Sequence, residues 1–141
     1  MNVRVAVAMR THFAGVALAS ALAHTAIAQS PAQSPTTPVG TWRGTSACLV
    51  RPSSCNDEVV VYRITPLKTP DSVAVDARKI VRGEEEAMGV LACHLAKPSG
   101  QLTCAFPQGV WYFRVRNDSL TGELRLRDNT RFREVQTTRA P

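Results

Sequence analysis

Residues 110–127 read VWYFRVRNDSLTGELRLR, and their alternation of apolar and polar side chains decides the fold class. A two-residue turn at Asn117-Asp118 brings Trp111 opposite Leu124, with the other apolar positions of both halves on the same face. The arginines fall on the opposite face. Alternation with a period of two residues, which gives one buried and one solvent-exposed face, is typical of antiparallel strands. The sequence therefore predicts a β-hairpin in this stretch.

The rest of the chain divides into similar short runs, separated by turn residues about every ten positions. We assign eight strands to residues 41–50, 57–65, 72–82, 87–96, 101–106, 110–116, 119–127 and 130–138. They predict an all-β, eight-stranded antiparallel up-and-down barrel, because closure removes the unpaired edges of an open sheet. The apolar spacing near 83–88 also fits one short helical turn. The acidic run Glu84, Glu85 and Glu86 is interpreted as a solvated loop.

The amino-terminal segment has the features of an export signal. Arg4 and Arg10 precede an apolar stretch over 13–23, and residues 26–28 form a small-x-small cleavage pattern. The predicted organisation is a signal peptide over 1–28, a disordered Pro/Ser/Gln-rich leader over 29–38 and a β-barrel domain over 39–141. We therefore expect an exported protein, either periplasmic or secreted.

The charge balance argues against a nucleic-acid partner. Removal of Arg4 and Arg10 with the signal lowers the formal net charge from +6 to +4, which is mild unless the cations cluster. A bilayer-spanning helix needs about 20 apolar residues, and no segment after the signal supplies them. We expect a monomer without a transmembrane segment and without a nucleic-acid partner.

The four cysteines all follow the signal peptide. An even number in a short exported domain favours disulfides. Zinc is disfavoured, because no two cysteines have CxxC spacing and a single histidine follows the signal. Tight hairpin loops at 51–52 and 97–100 each bring two cysteines to opposed positions that a disulfide tolerates. The predicted bonds are Cys48–Cys55 and Cys93–Cys104. The first register also places Trp42 opposite Val61.

We predict no catalytic residue, metal site or cofactor. A Ser-His-Asp site needs a base, and His94 is the remaining histidine. Its position between the inward Cys93 and Leu95 turns it towards solvent. A phosphate-cradling glycine motif and a nucleotide fingerprint are both missing from the sequence. The sequence therefore predicts a protein that is not an enzyme.

Two registers are open for the last strand. A two-residue turn at 128–129 directs Arg131 and Arg133 into the barrel, where each needs a carboxylate, water or a ligand anion. One added bulge residue instead turns Phe132 inward and both arginines to solvent. The second register is favoured, because phenylalanine is the more natural core residue.

Gly40-Thr41-Trp42, at the start of the first strand, resembles the G-x-W signature of lipocalin-like (calycin) barrels. In that superfamily the tryptophan plugs the closed end, and an arginine from the last strand packs across it. Arg139 occupies a suitable place for this role. The domain is shorter than typical lipocalins and has two local disulfides. In size it is similar to avidin-like barrels and to small exported bacterial inhibitors of metalloproteases, and segments such as LTGELRLRDNT resemble small exported bacterial proteins of unassigned role.

The resemblance implies ligand binding. We hypothesise that one small amphiphilic ligand lies against Trp111 and Phe113, with its acidic head received by Arg131 and Arg133. The alternative is a protein-binding module of the cell envelope, such as a protease or hydrolase inhibitor, whose barrel is filled by side chains. An eight-stranded barrel has room for either arrangement. An empty interior would favour the ligand hypothesis.

Overall fold

A computed structural model describes residues 37–141, which form eight antiparallel strands closed into a barrel. Neighbouring strands in the chain are neighbours in the barrel, and β8 returns to pair with β1. The strands are β1 (Gly40–Cys48), β2 (Glu58–Pro66), β3 (Ser72–Val81), β4 (Glu84–Ala96), β5 (Gln101–Phe106), β6 (Gly109–Arg116), β7 (Ser119–Leu126) and β8 (Arg131–Arg139). The predicted fold class is confirmed. The predicted signal peptide and residues 29–36 of the leader lie outside the described residues.

The acidic run belongs to a strand, so the predictions of a helical turn and of a loop there are wrong. Arg82 and Gly83 form the turn between β3 and β4, with φ angles of 53° and 87°. Positive φ at both turn positions suits a tight two-residue hairpin, and the strands therefore continue to the turn on both sides. Residues 84–86 become the start of β4, where Glu85 accepts two hydrogen bonds from Arg63 at 2.7 and 2.9 Å.

Two predicted hairpin registers are confirmed. In the β6–β7 hairpin, Trp111 lies opposite Leu124, as the alternation of residues 110–127 predicts. In the β4–β5 hairpin, Leu95 lies opposite Leu102. Both hairpins have strong period-two patterns, and a slip of one residue would expose every apolar side chain of the strand.

The predicted register of the first hairpin is wrong by one residue. Trp42 lies opposite Tyr62, not Val61. The ladder ends near Ser46, and the chain then forms an irregular loop before β2. In this loop the backbone N–H of Cys48 donates a hydrogen bond to the Asp57 carboxylate at 2.8 Å. The loop is therefore longer than a two-residue turn, although it still brings the predicted cysteines together.

Both predicted disulfides are present, and all four cysteines are buried. Cys48–Cys55 ties the two ends of the first loop. Cys93–Cys104 joins β4 to β5, with a Cα–Cα distance of 4.3 Å. Disulfides persist in oxidising environments outside the cytosol, so these bonds favour such a compartment. Within the described part of the chain there is no helix that could cross a bilayer.

The barrel interior holds one apolar core. Its fully buried side chains include Trp42, Val60, Ile64, Leu102, Leu120 and Val135. Trp42 lies at the end of the barrel where β1 begins. The up-and-down topology places the starts of β2, β4, β6 and β8 at the other end, which we call the distal end.

The wall of the barrel is incomplete between β4 and β5. β4 has 13 residues, but only His94, Leu95 and Ala96 pair with β5. The Cys93–Cys104 bond follows directly, and beyond it β4 continues on β3 alone. A side opening therefore runs from this disulfide to the distal end. This opening positions the candidate site.

Candidate functional site

An apolar cavity of about 220 Å³ lies inside the distal half of the barrel. Its wall is built from inward side chains of β2, β3, β4 and β6: Tyr62, Val75, Ala77, Leu91, Trp111 and Phe113. Residues 88–90 of β4 and Phe106 of β5 line it on the two sides of the opening. Solvent and ligands can therefore reach the cavity from the side.

An aromatic group forms one wall of the cavity. The rings of Trp111 and Phe113 stack with centroids 5.2 Å apart and planes at 10°. Tyr62 meets Phe113 edge to face at 5.4 Å. Phe113 is packed against Gly122 of the neighbouring strand, where any Cβ atom would overlap the ring. Gly122 thus fixes how far Phe113 extends across the barrel.

The Tyr62 hydroxyl is the polar group of this wall. The residue is buried, and burial raises the pKa of its phenol far above the ordinary value. Arg133 opposes this effect and Glu58 adds to it. Tyr62 is therefore neutral at every physiological pH and presents an O–H group, which can donate or accept a hydrogen bond.

Arg133 points into the distal end, as the two-residue turn predicts. Its side chain is 13% exposed, and its Nη1 lies 3.3 Å from Glu58 Oε2. The same nitrogen donates to the Ser46 hydroxyl at 3.2 Å. Lys79 lies on the other side of Glu58, with Nζ 3.8 Å from Oε1. One carboxylate is thus shared by two cations.

Arg131 lies on the outside, so its predicted inward position is wrong. Leu124 pairs with Arg133 as expected, but a bulge follows, and Arg131 lies opposite Arg125. The extra residue shifts the alternation by one, so Arg131 points to the side of the sheet opposite to that of Arg133. Arg131 instead donates to Glu123 at 2.9 Å on the outer surface. The favoured alternative, with both arginines facing solvent, is wrong for Arg133.

The cation and the aromatic wall lie on the same row of residues. Trp111 pairs with Leu124, and Leu124 pairs with Arg133. Adjacent strands lie about 4.8 Å apart, so two strand spacings separate the backbone of Trp111 from that of Arg133 by roughly 10 Å.

The other end of the barrel is occupied by Trp42, which is fully buried. The Arg139 guanidinium carbon lies 4.2 Å from the centroid of the Trp42 ring. Arg139 also donates to the carbonyl oxygens of Val39 at 2.9 Å and Thr37 at 2.7 Å. Gly40 has a φ of 136°, and a Cβ there would lie 2.7 Å from Arg139 Nη1. Gly40, Trp42 and Arg139, which the sequence analysis places at the closed end, therefore lie together at this end of the barrel.

A larger concavity of about 560 Å³ lies on the outer face of β6, β7 and β8, but it is a weaker candidate. Its lining is polar and includes Tyr112, Arg125 and Glu123. Arg125 and Arg131 both donate to Glu123, and this ion pairing lowers the pKa of the carboxyl, with Arg125 contributing most. Arg131 Nη2 also lies 3.8 Å from Glu134 Oε2, so these two arginines are balanced by two carboxylates. His94 is exposed on the outer surface, and no cluster of metal-ligating groups occurs within residues 37–141.

Sequence reasoning missed three residues of the site. Tyr62 was hidden by the wrong register of the first hairpin, which places Val61 on the inner face. Glu58 and Lys79 were missed because each lies near a strand end, where alternation no longer separates inside from outside. Their signal was an isolated charge at an inward-facing position of a strand whose other inward-facing residues are apolar or aromatic.

Comparison of the chain with protein-family models, curated proteins and solved structures finds no match.

Proposed function

We propose that this is an exported, non-enzymatic protein that binds one small amphiphilic molecule inside the barrel. The observation that carries the proposal is the apolar cavity of about 220 Å³, whose wall includes Tyr62, a residue on which the inward Arg133 acts electrostatically. A barrel filled by side chains, as the alternative of a protein-binding module assumes, would leave no such volume. The apolar part of the ligand lies against Trp111 and Phe113, and its head lies near Arg133.

The size of the cavity limits the apolar part of the ligand. An apolar cavity of about 150 Å³ can hold benzene, so about 220 Å³ suits one aromatic ring or a short alkyl chain. A longer chain would extend through the opening between β4 and β5. Burial of apolar surface against the aromatic wall supplies most of the binding free energy.

The charge near the cavity selects the head group. Arg133 and Lys79 share Glu58, which leaves one positive charge in excess in this trio. Glu86 lies opposite Lys79 in the register of β3 and β4, but it is exposed and no ion pair joins the two within residues 37–141. Within residues 37–141 the hydrogen bonds and the ion pair of Arg133 use Nη1 alone, which leaves Nε and Nη2 to donate to a carboxylate, a group that arginine binds in a fork. An anionic head is therefore favoured over a cationic one.

Export is supported by two independent features. Residues 1–28 have the charge, apolar and cleavage pattern of a signal peptide. The two disulfides favour an oxidising environment. We propose that the protein acts in the periplasm or after secretion, and that it resembles lipocalin-like barrels in carrying a ligand.

A fluorescence titration tests the proposal. Octanoate is added while the emission of Trp111 is followed; Trp42, at the other end of the barrel, supplies a constant background. We expect saturable binding that weakens about tenfold in Arg133→Ala, the loss of one charge-assisted contact. Arg131→Ala is the matched control and should bind like the wild type, since Arg131 lies outside. Absence of saturation with octanoate, or equal weakening in both variants, would overturn the proposal.

A further inference from the structure

The strand β4 has a free edge beside the side opening of the barrel. Residues 84–93 pair with β3 on one side and with no strand on the other, among the residues that the structure describes. An unpaired edge exposes backbone N–H and C=O groups that can accept another strand. Proteins commonly protect such an edge with charged residues, above all lysine, with proline or with a bulge; residues 84–93 contain no lysine or proline, and their charges are the glutamates at 84–86. A bulge opposite Ala77 and Arg78 bends the edge without covering it.

Side chains on the edge indicate what the added strand must contain. Glu85 is paired with Arg63, whereas Glu84 and Glu86 form no ion pair with any residue of 37–141. Further along the same edge Met88 and Val90 are 43% and 64% exposed. One half of the edge is therefore acidic and unpaired, and the other half is apolar. A complementary strand is basic at one end and apolar at the other.

A second copy of this chain fits the edge less well. Antiparallel pairing of two β4 edges would place residues 84–86 of each copy against residues 90–92 of the other, which carry no charge. Parallel pairing in register would place glutamate beside glutamate. Either arrangement leaves the carboxylates without counter-charges. Charge complementarity therefore favours a different chain.

We propose that the β4 edge binds an extended segment of a partner protein by adding an antiparallel strand to the barrel. The amino-terminal half of that segment is apolar and lies along Met88 and Val90, and its carboxyl-terminal half carries lysine or arginine beside Glu84 and Glu86. Main-chain hydrogen bonds supply affinity in this mode of recognition, and side chains supply specificity. This site borders the opening of the cavity but does not depend on a ligand inside it.

A synthetic peptide tests the proposal on the full mature protein. The peptide has about nine residues, with alternating threonine and valine followed by two lysines separated by one valine. We expect binding, with slower amide hydrogen exchange in residues 84–92. N-methylation of alternate peptide nitrogens should abolish binding, because it removes main-chain donors without changing side chains. Replacement of the two lysines by glutamates should weaken it about tenfold or more.

Variants of the protein locate the site. Val90→Lys and the double variant Glu84→Lys/Glu86→Lys change exposed side chains, and each should weaken peptide binding about tenfold. Glu134→Lys, on a strand away from the edge, is the matched control and should bind normally. Slower exchange elsewhere than residues 84–92, or binding that survives N-methylation, would overturn the proposal. A concentration-dependent dimer that Val90→Lys abolishes would assign the edge to a second copy and also overturn it.

Discussion

Nη1 of Arg133 lies 3.3 Å from Oε2 of Glu58 inside the distal end of the barrel, with both side chains largely withdrawn from solvent. The pair joins β8 to β2 across β1. Withdrawing a charge pair from solvent is costly unless good geometry and further hydrogen bonds offset the loss of hydration. In this protein Glu58 and Ser46 hold the Arg133 guanidinium close enough to Tyr62 for its charge to act on the Tyr62 phenol.

The first prediction concerns the stability of the ligand-free protein. Arg133→Ala removes the ion pair and the hydrogen bond to Ser46, and it should lower the free energy of unfolding by about 2 kcal/mol. Arg131→Ala, whose ion pairs are on the exposed surface, should cost less than about 1 kcal/mol. Urea denaturation monitored by circular dichroism measures both. Equal losses would show that the inward position of Arg133 has no special energetic role.

The second prediction concerns the end of the barrel occupied by Trp42. Trp42→Ala should destabilise the fold by about 3–5 kcal/mol, because it leaves a cavity in a fully buried site. Arg139→Ala should cost about 1–2 kcal/mol through loss of the cation–π contact. Arg114→Ala, an exposed residue on β6, is the control and should be close to neutral. Guanidinium unfolding curves would contradict the assignment if Trp42→Ala lost under 1 kcal/mol.

The third prediction uses the disulfides. Because each bond closes a short loop in the unfolded chain, each should add about 2–3 kcal/mol to the free energy of unfolding. The Cys93–Cys104 bond should contribute slightly more, since its sequence separation of 11 is the larger. The double variant Cys93→Ser/Cys104→Ser should also impair ligand binding, because the bond limits the opening beside the cavity. Cys48→Ser/Cys55→Ser, which removes a bond opposite Arg133 and leaves the opening unchanged, should weaken binding less. Thermal unfolding and the octanoate titration of the two variants test this; impaired binding in neither variant would disprove the link to the opening.

The fourth prediction concerns acid stability. The pKa of Glu85 is lowered, chiefly by its hydrogen bonds from Arg63, and that of Glu123 is lowered chiefly by Arg125. A carboxyl with a lowered folded-state pKa stabilises the fold above its unfolded pKa, and this contribution is lost as the pH falls through the folded value. Stability should therefore be flat between about pH 5 and 7 and should fall below about pH 4.

The measurement is a series of urea denaturation curves at different pH values. In Glu85→Gln/Glu123→Gln the fall below about pH 4 should be shallower, because two of the groups responsible are gone. The same slope in the variant and the wild type would show that other carboxyls are responsible.

The fifth prediction concerns Gly122. Gly122→Ala places a Cβ atom on the ring of Phe113, which must move into the cavity. The variant should lose about 1–3 kcal/mol of stability and bind octanoate more weakly. Thr121→Ala, the exposed neighbour on the same strand, should leave both properties near wild type. Calorimetric titration decides; normal octanoate affinity in Gly122→Ala would mean that Phe113 does not border the ligand.

The fold and the disulfides could be predicted from the sequence because their signals are local. Alternation in the hairpin of residues 110–127 sets its register, since a slip would expose Trp111 and Phe113 together. Cysteine pairing tolerates an error of one residue, because a loop can bring Cys48 and Cys55 together without a regular ladder. The sequence does not fix the register of β1 on β2, because apolar or aromatic residues occupy consecutive positions from Val59 to Tyr62 and either face of β2 could be the inner one.

The site could be predicted only in part, because it depends on irregularities. A bulge after Leu124 decides that Arg133 points inward while Arg131 points outward, and no local residue pattern marks it. The opening between β4 and β5 follows from the difference in length between the two strands. That difference becomes visible only after the turn at Arg82-Gly83 is recognised as tight. The volume of the cavity depends on how side chains from strands distant in the sequence pack together, and a pattern of residues along the chain does not show this.

The most direct test of a ligand inside the barrel is an NMR titration with octanoate carrying a labelled terminal methyl group. We predict intermolecular Overhauser contacts from this methyl group to the rings of Trp111 and Phe113, with chemical-shift changes at Arg133 when the ligand is added. Contacts confined to the outer face around Tyr112 and Arg125, or no contact with either ring at saturating octanoate, would contradict the account.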